Sequence, residues 1–165
     1  HATTRLCLAA LEKLIRPGMR VLDVGTGSGI LAIAAALQGA GHVEALDIDM
    51  VAVQVAKQNA AYNGVEARVC VSRGTLGAEP GSTETGVPAH DGADYDLVLV
   101  NIFAETIIGM ARAIYRALGA GGLFVATGII QEKADDVVMA LQQAGLVVDQ
   151  RLGEEDWIAL VGRRP

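Results

Sequence analysis

Apolar runs of strand length alternate with stretches of helical periodicity along almost the whole 165-residue chain. Repeated strand–helix units of this kind fold into a parallel sheet whose crossover helices cover both faces. Strands buried on two sides must be aliphatic throughout. The composition meets that demand, because 52% of residues are hydrophobic while only 4% are aromatic. The 20 glycines leave room for close backbone packing.

The pattern resolves into successive units. Residues 3–15 carry Leu8, Leu11 and Ile15 at helical spacing, with Thr3 or Thr4 as N-cap and Pro17-Gly18 as the stop. A strand at 20–24 is followed by an alanine-rich helix at 28–38, a strand at 43–48 and a helix at 50–62 that Asn63-Gly64 closes. A third strand spans 67–72. From 73 to 93 the periodicity stops and Gly, Pro, Ser and Thr accumulate, which predicts a long loop, either a mobile surface insertion or a functional flap. A strand at 96–100 precedes a helix whose face is Ile107, Met110, Ala111, Ile114 and Leu118, broken by the glycine-rich stretch 119–122. A strand at 123–127 leads to a helix marked by Ala134, Val137, Val138, Leu141 and Ala144 and ended by Gly145. Strands at 146–152 and 157–162 are separated only by Gly153-Glu154-Glu155-Asp156, too short a link for a crossover, so they pair antiparallel. The expected architecture is a single α/β domain over 1–165, Rossmann-like, with a seven-stranded mostly parallel sheet, an antiparallel C-terminal hairpin and helices on both faces.

Charge and cysteine usage exclude several function classes. Asp plus Glu, at 19, exceeds Lys plus Arg, at 13, and a net charge of −6 opposes a surface built to neutralise phosphates. Direct nucleic-acid binding is therefore not expected. Apolar stretches are interrupted well before the ~20 residues of a membrane span, and no basic-then-apolar signal opens the chain. A soluble, cytoplasmic protein is expected. Cys7 and Cys70 are too few and too far apart for a metal knuckle or a disulfide framework, and are read as buried thiols in a reducing compartment, with no metal. The chain begins at His1 rather than a methionine, as a processed chain or a trimmed part of a longer one does.

The chemistry is concentrated at strand ends. The first strand runs into Gly25-Thr26-Gly27-Ser28-Gly29, which sits at the carboxyl edge of the sheet, at the topological switch point where ligands bind in doubly wound folds. Bare N–H groups at the start of the next helix favour a carboxylate or phosphate there. A nicotinamide fingerprint G-x-G-x-x-G would need glycine at position 30, which is Ile30, and no lysine follows to make a P-loop. Asp47 ends the second strand 18 residues after Gly29, where a carboxylate can accept both hydroxyls of a ribose. Its alternative, capping the following helix, suits Asp49 better. Asn101 ends the fourth strand at the same edge, with an amide able to accept and donate. Its alternative is also a helix cap. Phe103 is read as a staple or pocket wall. His1, His42, just before the second strand, and His90, in the loop, do not group into a catalytic set.

The glycine turn, Leu46-Asp47-Ile48-Asp49, Asn101-Ile102 and the terminal hairpin together resemble the class I S-adenosylmethionine-dependent methyltransferases. More particularly, His1-Ala2-Thr3-Thr4 looks like the H-x-T-T segment of the PrmA family, which methylates large-subunit ribosomal protein eleven. The likeness continues through Gly29-Ile30-Leu31-Ala32, Asn59 with Asn63-Gly64, Thr127-Gly128-Ile129-Ile130 and Asp156-Trp157, nearly the whole chain. The resemblance implies S-adenosyl-L-methionine as cofactor and a ribosomal protein as partner. It implies that Thr3 or Thr4 and Gly25, Thr26, Gly27 and Ser28 hold the methionine end, that Asp47 holds the ribose with Ile48 also at the cofactor, and that Asn101 lies beside the transferred methyl. Ile102, Phe103 and Gly128 would line the acceptor pocket. Adenine contacts in the family follow the third strand, here Ser72-Arg73-Gly74 and the loop. Family members also carry an N-terminal substrate-recognition domain, which is absent from these residues. The competing readings are a methyltransferase for another protein or a small molecule, and a cofactor-binding module without catalysis; the intact turn, Asp47 and Asn101 argue against the last.

Overall fold

In the computed structural model, which describes residues 1–77, 89–90 and 94–165, the strand–helix alternation becomes a seven-stranded sheet. The elements are α1 (Ala2–Leu14), β1 (Arg20–Val24), α2 (Ile30–Leu37), β2 (His42–Asp47), α3 (Met50–Tyr62), β3 (Val69–Arg73), β4 (Thr75–Leu76), β5 (Ala89–His90), β6 (Tyr95–Asn101), α4 (Ala104–Ala117), β7 (Leu118–Ile130), a 3₁₀ turn (Gln131–Lys133), α5 (Ala134–Gln143), β8 (Val147–Glu154) and β9 (Trp157–Arg163). The strand order is β3-β2-β1-β6-β7-β9-β8. β3, β2, β1, β6 and β7 run parallel, while β9 pairs antiparallel with both β7 and β8. The chain moves outward from β1 to β3 and then returns to place β6 on the other side of β1, so the switch point lies between β1 and β6.

The pleat decides which core each side chain joins. Leu22, Val98, Val100, Phe124 and Ala126 pack against Ile107, Ile114, Val137 and Leu141 of α4 and α5. One residue out of phase, Val21, Leu97, Leu99 and Val125 pack against Leu11, Ala32, Ala35, Val53 and Ala56 of α1, α2 and α3. Both faces are thus covered. Ala32, Ala35 and Ala36 of α2 are fully buried, which lets that helix lie close to the sheet. Among the described residues no helix is long and apolar enough to cross a membrane.

Several boundaries differ from those the sequence predicts. The cap of α1 is His1, whose Nδ1 accepts from the Thr3 amide, rather than Thr3 or Thr4. α2 starts at Ile30 because Gly29, with φ 85°, cannot belong to the helix. His42 opens β2 instead of preceding it. Leu118 caps α4 from β7 rather than belonging to the helix, while its side chain joins the same core as Ile107, Met110, Ala111 and Ile114. The stretch 119–122 is part of β7: Gly121 N–H donates to the Arg164 carbonyl and Arg164 N–H to the Gly122 carbonyl, and the β6 register jumps from Tyr95–Leu118 to Leu97–Leu123. The predicted loop at 73–93 is also shorter at both margins, since Arg73 completes β3 and β4 pairs parallel with β5, which includes His90. Residues 78–88 and 91–93 lie outside the described residues. Cys7 is buried as expected, but Cys70 is exposed, because β3 is the edge strand and Cys70 points away from the core that Val69 and Val71 enter.

Candidate active site

The β1–α2 turn is locked by main-chain hydrogen bonds before any ligand is considered. Gly25, Gly27 and Gly29 hold φ of 75°, 57° and 85°, conformations that side-chain-bearing residues adopt only at a cost. The Gly25 and Thr26 amides both donate to the Leu46 carbonyl at 2.9 Å. The Thr26 hydroxyl turns inward and donates to Asp23 Oδ2 at 2.7 Å. Asp23 is completely buried, and that burial raises its carboxyl pKa to about 6, against the lowering effect of the Thr26 and Ala32 hydrogen bonds. From the α3 side, Asn59 Nδ2 donates to the Ser28 carbonyl at 2.8 Å.

Asp47 joins this turn to the next one. Its Oδ2 accepts from the Gly27 amide and its Oδ1 from the Asp49 amide, each at 2.9 Å, so the carboxylate is not unengaged as the sequence suggests. Each carboxylate oxygen offers two acceptor sites, and the outward ones remain for a vicinal diol. Asp49 takes the cap of α3, accepting from the Val51 amide.

On the far side of the switch point, Asn101 ends β6 opposite Thr127 of β7. The cap of α4 is Phe103, with no side-chain hydrogen bond, so Asn101 is not a helix cap. β7 bulges at this point: Ala126 pairs with Leu160 and Ile129 with Ile158, three steps along β7 against two along β9. Bulges gather beside active sites, where they re-aim side chains. Thr127 Oγ1 is buried with no hydrogen-bond partner among the described residues.

These segments enclose a pocket of about 450 Å³, within the range of small-molecule sites. Of the residues singled out from sequence, Thr3, Gly25, Asp47, Ile48, Asn101, Ile102, Phe103 and Gly128 line it. Thr4, Thr26, Gly27 and Ser28 are not on its wall: Thr26 faces Asp23, Gly27 reaches it only through Asp47, and Ser28 borders a separate groove between α2 and α3. His1, Gly74, Thr75, Thr106, Met110 and Trp157 complete much of the lining. Gly74 belongs to the segment after β3 flagged for a purine. Trp157, the only tryptophan, enters the sequence reading as part of the resemblance in Asp156-Trp157 but with no role in the site. It arrives because β9 returns to pair with Ile130, and its ring meets that of His1 edge-on at 5.1 Å. His1 Nδ1 lies 3.0 Å from Thr3 Oγ1.

The donor set suits one kind of ligand. The starts of α1 and α4 border the pocket and carry the positive ends of their helix dipoles, suited to a carboxylate. Asp47 suits a diol, and Ile48, Ile102 and Met110 offer apolar surface between polar groups. An amino acid joined to a nucleoside satisfies all three. Among the described residues no His, Cys, Asp and Glu group is arranged to hold a metal ion.

Comparison with known proteins finds relatives along the whole chain. The family model "Ribosomal protein L11 methyltransferase (PrmA)" matches residues 1–165. A ribosomal protein L11 methyltransferase of Chloroflexus aurantiacus is 46% identical over 178 residues, covering 100% of this chain and 54% of the relative. The chain spans about half the length of the curated relatives it matches. The crystal structure of a ribosomal protein L11 methylase from Lactobacillus delbrueckii subsp. bulgaricus superposes with a TM-score of 0.85 at 31% identity, over 98% of this chain and 78% of that one. An RNA methyltransferase of Salinibacter ruber, solved in complex with S-adenosyl-L-homocysteine, shares the fold at TM-score 0.71 and 18% identity, over 96% of this chain and 88% of that one.

Proposed function

Because the chain belongs to the ribosomal protein L11 methyltransferase (PrmA) family, we propose that its 165 residues form one S-adenosylmethionine-binding domain that transfers methyl groups to amines of ribosomal protein L11. The observation that carries this reading is the convergence of Thr3, Gly25, Asp47 and Asn101, from four separate segments, on one pocket at the switch point.

The bound cofactor supplies a methyl group activated by a sulfonium. Thr3, the start of α1 and the Gly25 turn hold its amino-acid end, and the outward acceptor sites of Asp47 take the ribose hydroxyls. Asn101 offers its carbonyl oxygen to an N–H of the acceptor amine and orients the nitrogen lone pair. A lysine amine titrates near ~10.4 in water and must be neutral to attack. The apolar wall of Ile102 and Met110 favours that neutral form by desolvation. Orientation then carries much of the rate, of order 7 to 11 kcal/mol in the best cases.

The net charge of −6 suits a basic ribosomal protein approaching by electrostatic steering and opposes direct contact with nucleic acid or an anionic membrane; action in the cytoplasm goes with the ribosomal-protein substrate. Incubation of the chain, with any N-terminal substrate-recognition segment restored, with tritiated S-adenosylmethionine and purified ribosomal protein L11 tests the proposal. Label on L11 lysines or its N-terminus is expected. Label only on another protein or on small molecules redirects the substrate, and no transfer to any acceptor leaves a binding module.

A further inference from the structure

The segment after β6 is gripped between two glycines from different parts of the site. A Cβ added to Gly25 would lie 2.5 Å from Ile102 Cγ2. A Cβ added to Gly128 would lie 2.5 Å from the Ile102 carbonyl oxygen and 3.1 Å from its nitrogen and carbonyl carbon. Neither contact has slack. Cγ2 is attached directly to the branched Cβ, whose χ1 is stiff, so it cannot swing away as the tip of a long side chain would. The Ile102 main chain is tied from behind, its N–H donating to the Thr127 carbonyl at 3.2 Å. Ile102 therefore spans from the cofactor turn to the β7 bulge, one residue from Asn101.

We propose that Ile102 is a positioning residue: through the contact of its Cγ2 with Gly25 it sets the separation between the cofactor turn and Asn101. This rests on the methyl-transfer reading of the site. The branch at Cβ, rather than side-chain volume, is what the contact requires. Valine keeps Cγ2, whereas leucine keeps the volume and moves the branch one carbon outward.

A double-mutant cycle read by calorimetry with S-adenosylhomocysteine separates this role from a general packing effect. Gly25→Ala weakens binding by about tenfold or more, from the lost left-handed conformation and the clash with Cγ2. In the presence of Ile102→Ala, that penalty shrinks by at least about threefold, because the clash is gone and the strain alone remains. Gly128→Ala serves as the control: its clash is with the Ile102 main chain, so Ile102→Ala brings no relief. On L11, Ile102→Val retains at least about tenfold more turnover than Ile102→Leu, while KM for S-adenosylmethionine differs between the two by less than about threefold. Additive penalties at Gly25 and Ile102, or equal turnover of the valine and leucine variants, overturn the proposal. Should Gly25→Ala fail to fold, the valine and leucine pair decides alone. A wild-type chain that binds no S-adenosylhomocysteine refutes the underlying reading of the site; one that binds it while the variants behave additively refutes only the role of Ile102.

Discussion

The two halves of the pocket are built by different means. On the β1–β2 side the wall is main chain held by main chain and carboxylates: the Gly25 and Thr26 amides on Leu46, the Gly27 amide on Asp47, and the Thr26 hydroxyl on Asp23. On the β6–β7 side the wall is side chains: Ile102 and Met110 packed, Trp157 against His1, and Phe103 exposed to 77%. The first half is fixed by hydrogen bonds made within it. The second leaves Phe103 in solvent beside Asn101, where the acceptor approaches on the proposed reading. Cofactor recognition and acceptor recognition are thus separable in the same pocket, and mutations should divide along that line.

The largest effect is expected inside the first half, on stability. The Asp23 carboxyl titrates near 3.8 when unfolded and is raised to about 6 when folded. The native state then holds the proton more tightly, so stability is greatest below the unfolded value and falls as pH rises from about 4 to about 6. Asp23→Asn removes this loss. Relative to wild type, the variant should gain up to about 3 kcal/mol between pH 4 and pH 7 in urea denaturation. A pH-independent difference would contradict the buried, proton-holding role. Next, Asp47→Ala removes two charge-assisted acceptors from the turns and the diol site, and should weaken S-adenosylhomocysteine binding about 30- to 100-fold by calorimetry. An affinity within about threefold of wild type rejects the assignment.

The second half should respond in the opposite sense. Asn101→Ala is expected to lower turnover on L11 about tenfold, the worth of one hydrogen bond to the acceptor amine, while S-adenosylhomocysteine affinity changes less than about twofold. Equal losses in both would merge the two halves into one. The smallest effect belongs to the rim. Arg5 pairs with Glu154 across α1 and β8, but the side chains are 57% and 34% exposed, so Arg5→Ala should leave the thermal unfolding midpoint almost unchanged. A clear drop would show that the hairpin needs this pair to hold Trp157 in the pocket.

The same contrast explains how much was legible in the sequence. The first half is written in local signals, namely glycines at fixed spacing and carboxylates at strand ends, and the alternation of strand and helix gives the sheet. Asp49 as the cap of α3 follows from position alone. The resemblance in Thr3-Thr4 does not say which threonine faces the pocket; the pitch of α1 decides for Thr3. Thr26 and Ser28 lie between glycines, and nothing local reveals that one turns to Asp23 and the other to Asn59. The second half depends on partners distant in sequence. Trp157 reaches the pocket only through the antiparallel register of β9 on β7. The continuity of β7 through Gly119 to Gly122 depends on Arg164, at the other end of the hairpin. The β4–β5 pair is two residues long and has no periodicity to read.

The account stands most directly on the identity of the ligand in the first half. Titration of S-adenosylmethionine and, separately, NAD into the chain by isothermal calorimetry tests it. One equivalent of S-adenosylmethionine should bind, with no heat from NAD beyond dilution. Binding of NAD with no response to S-adenosylmethionine would contradict the account.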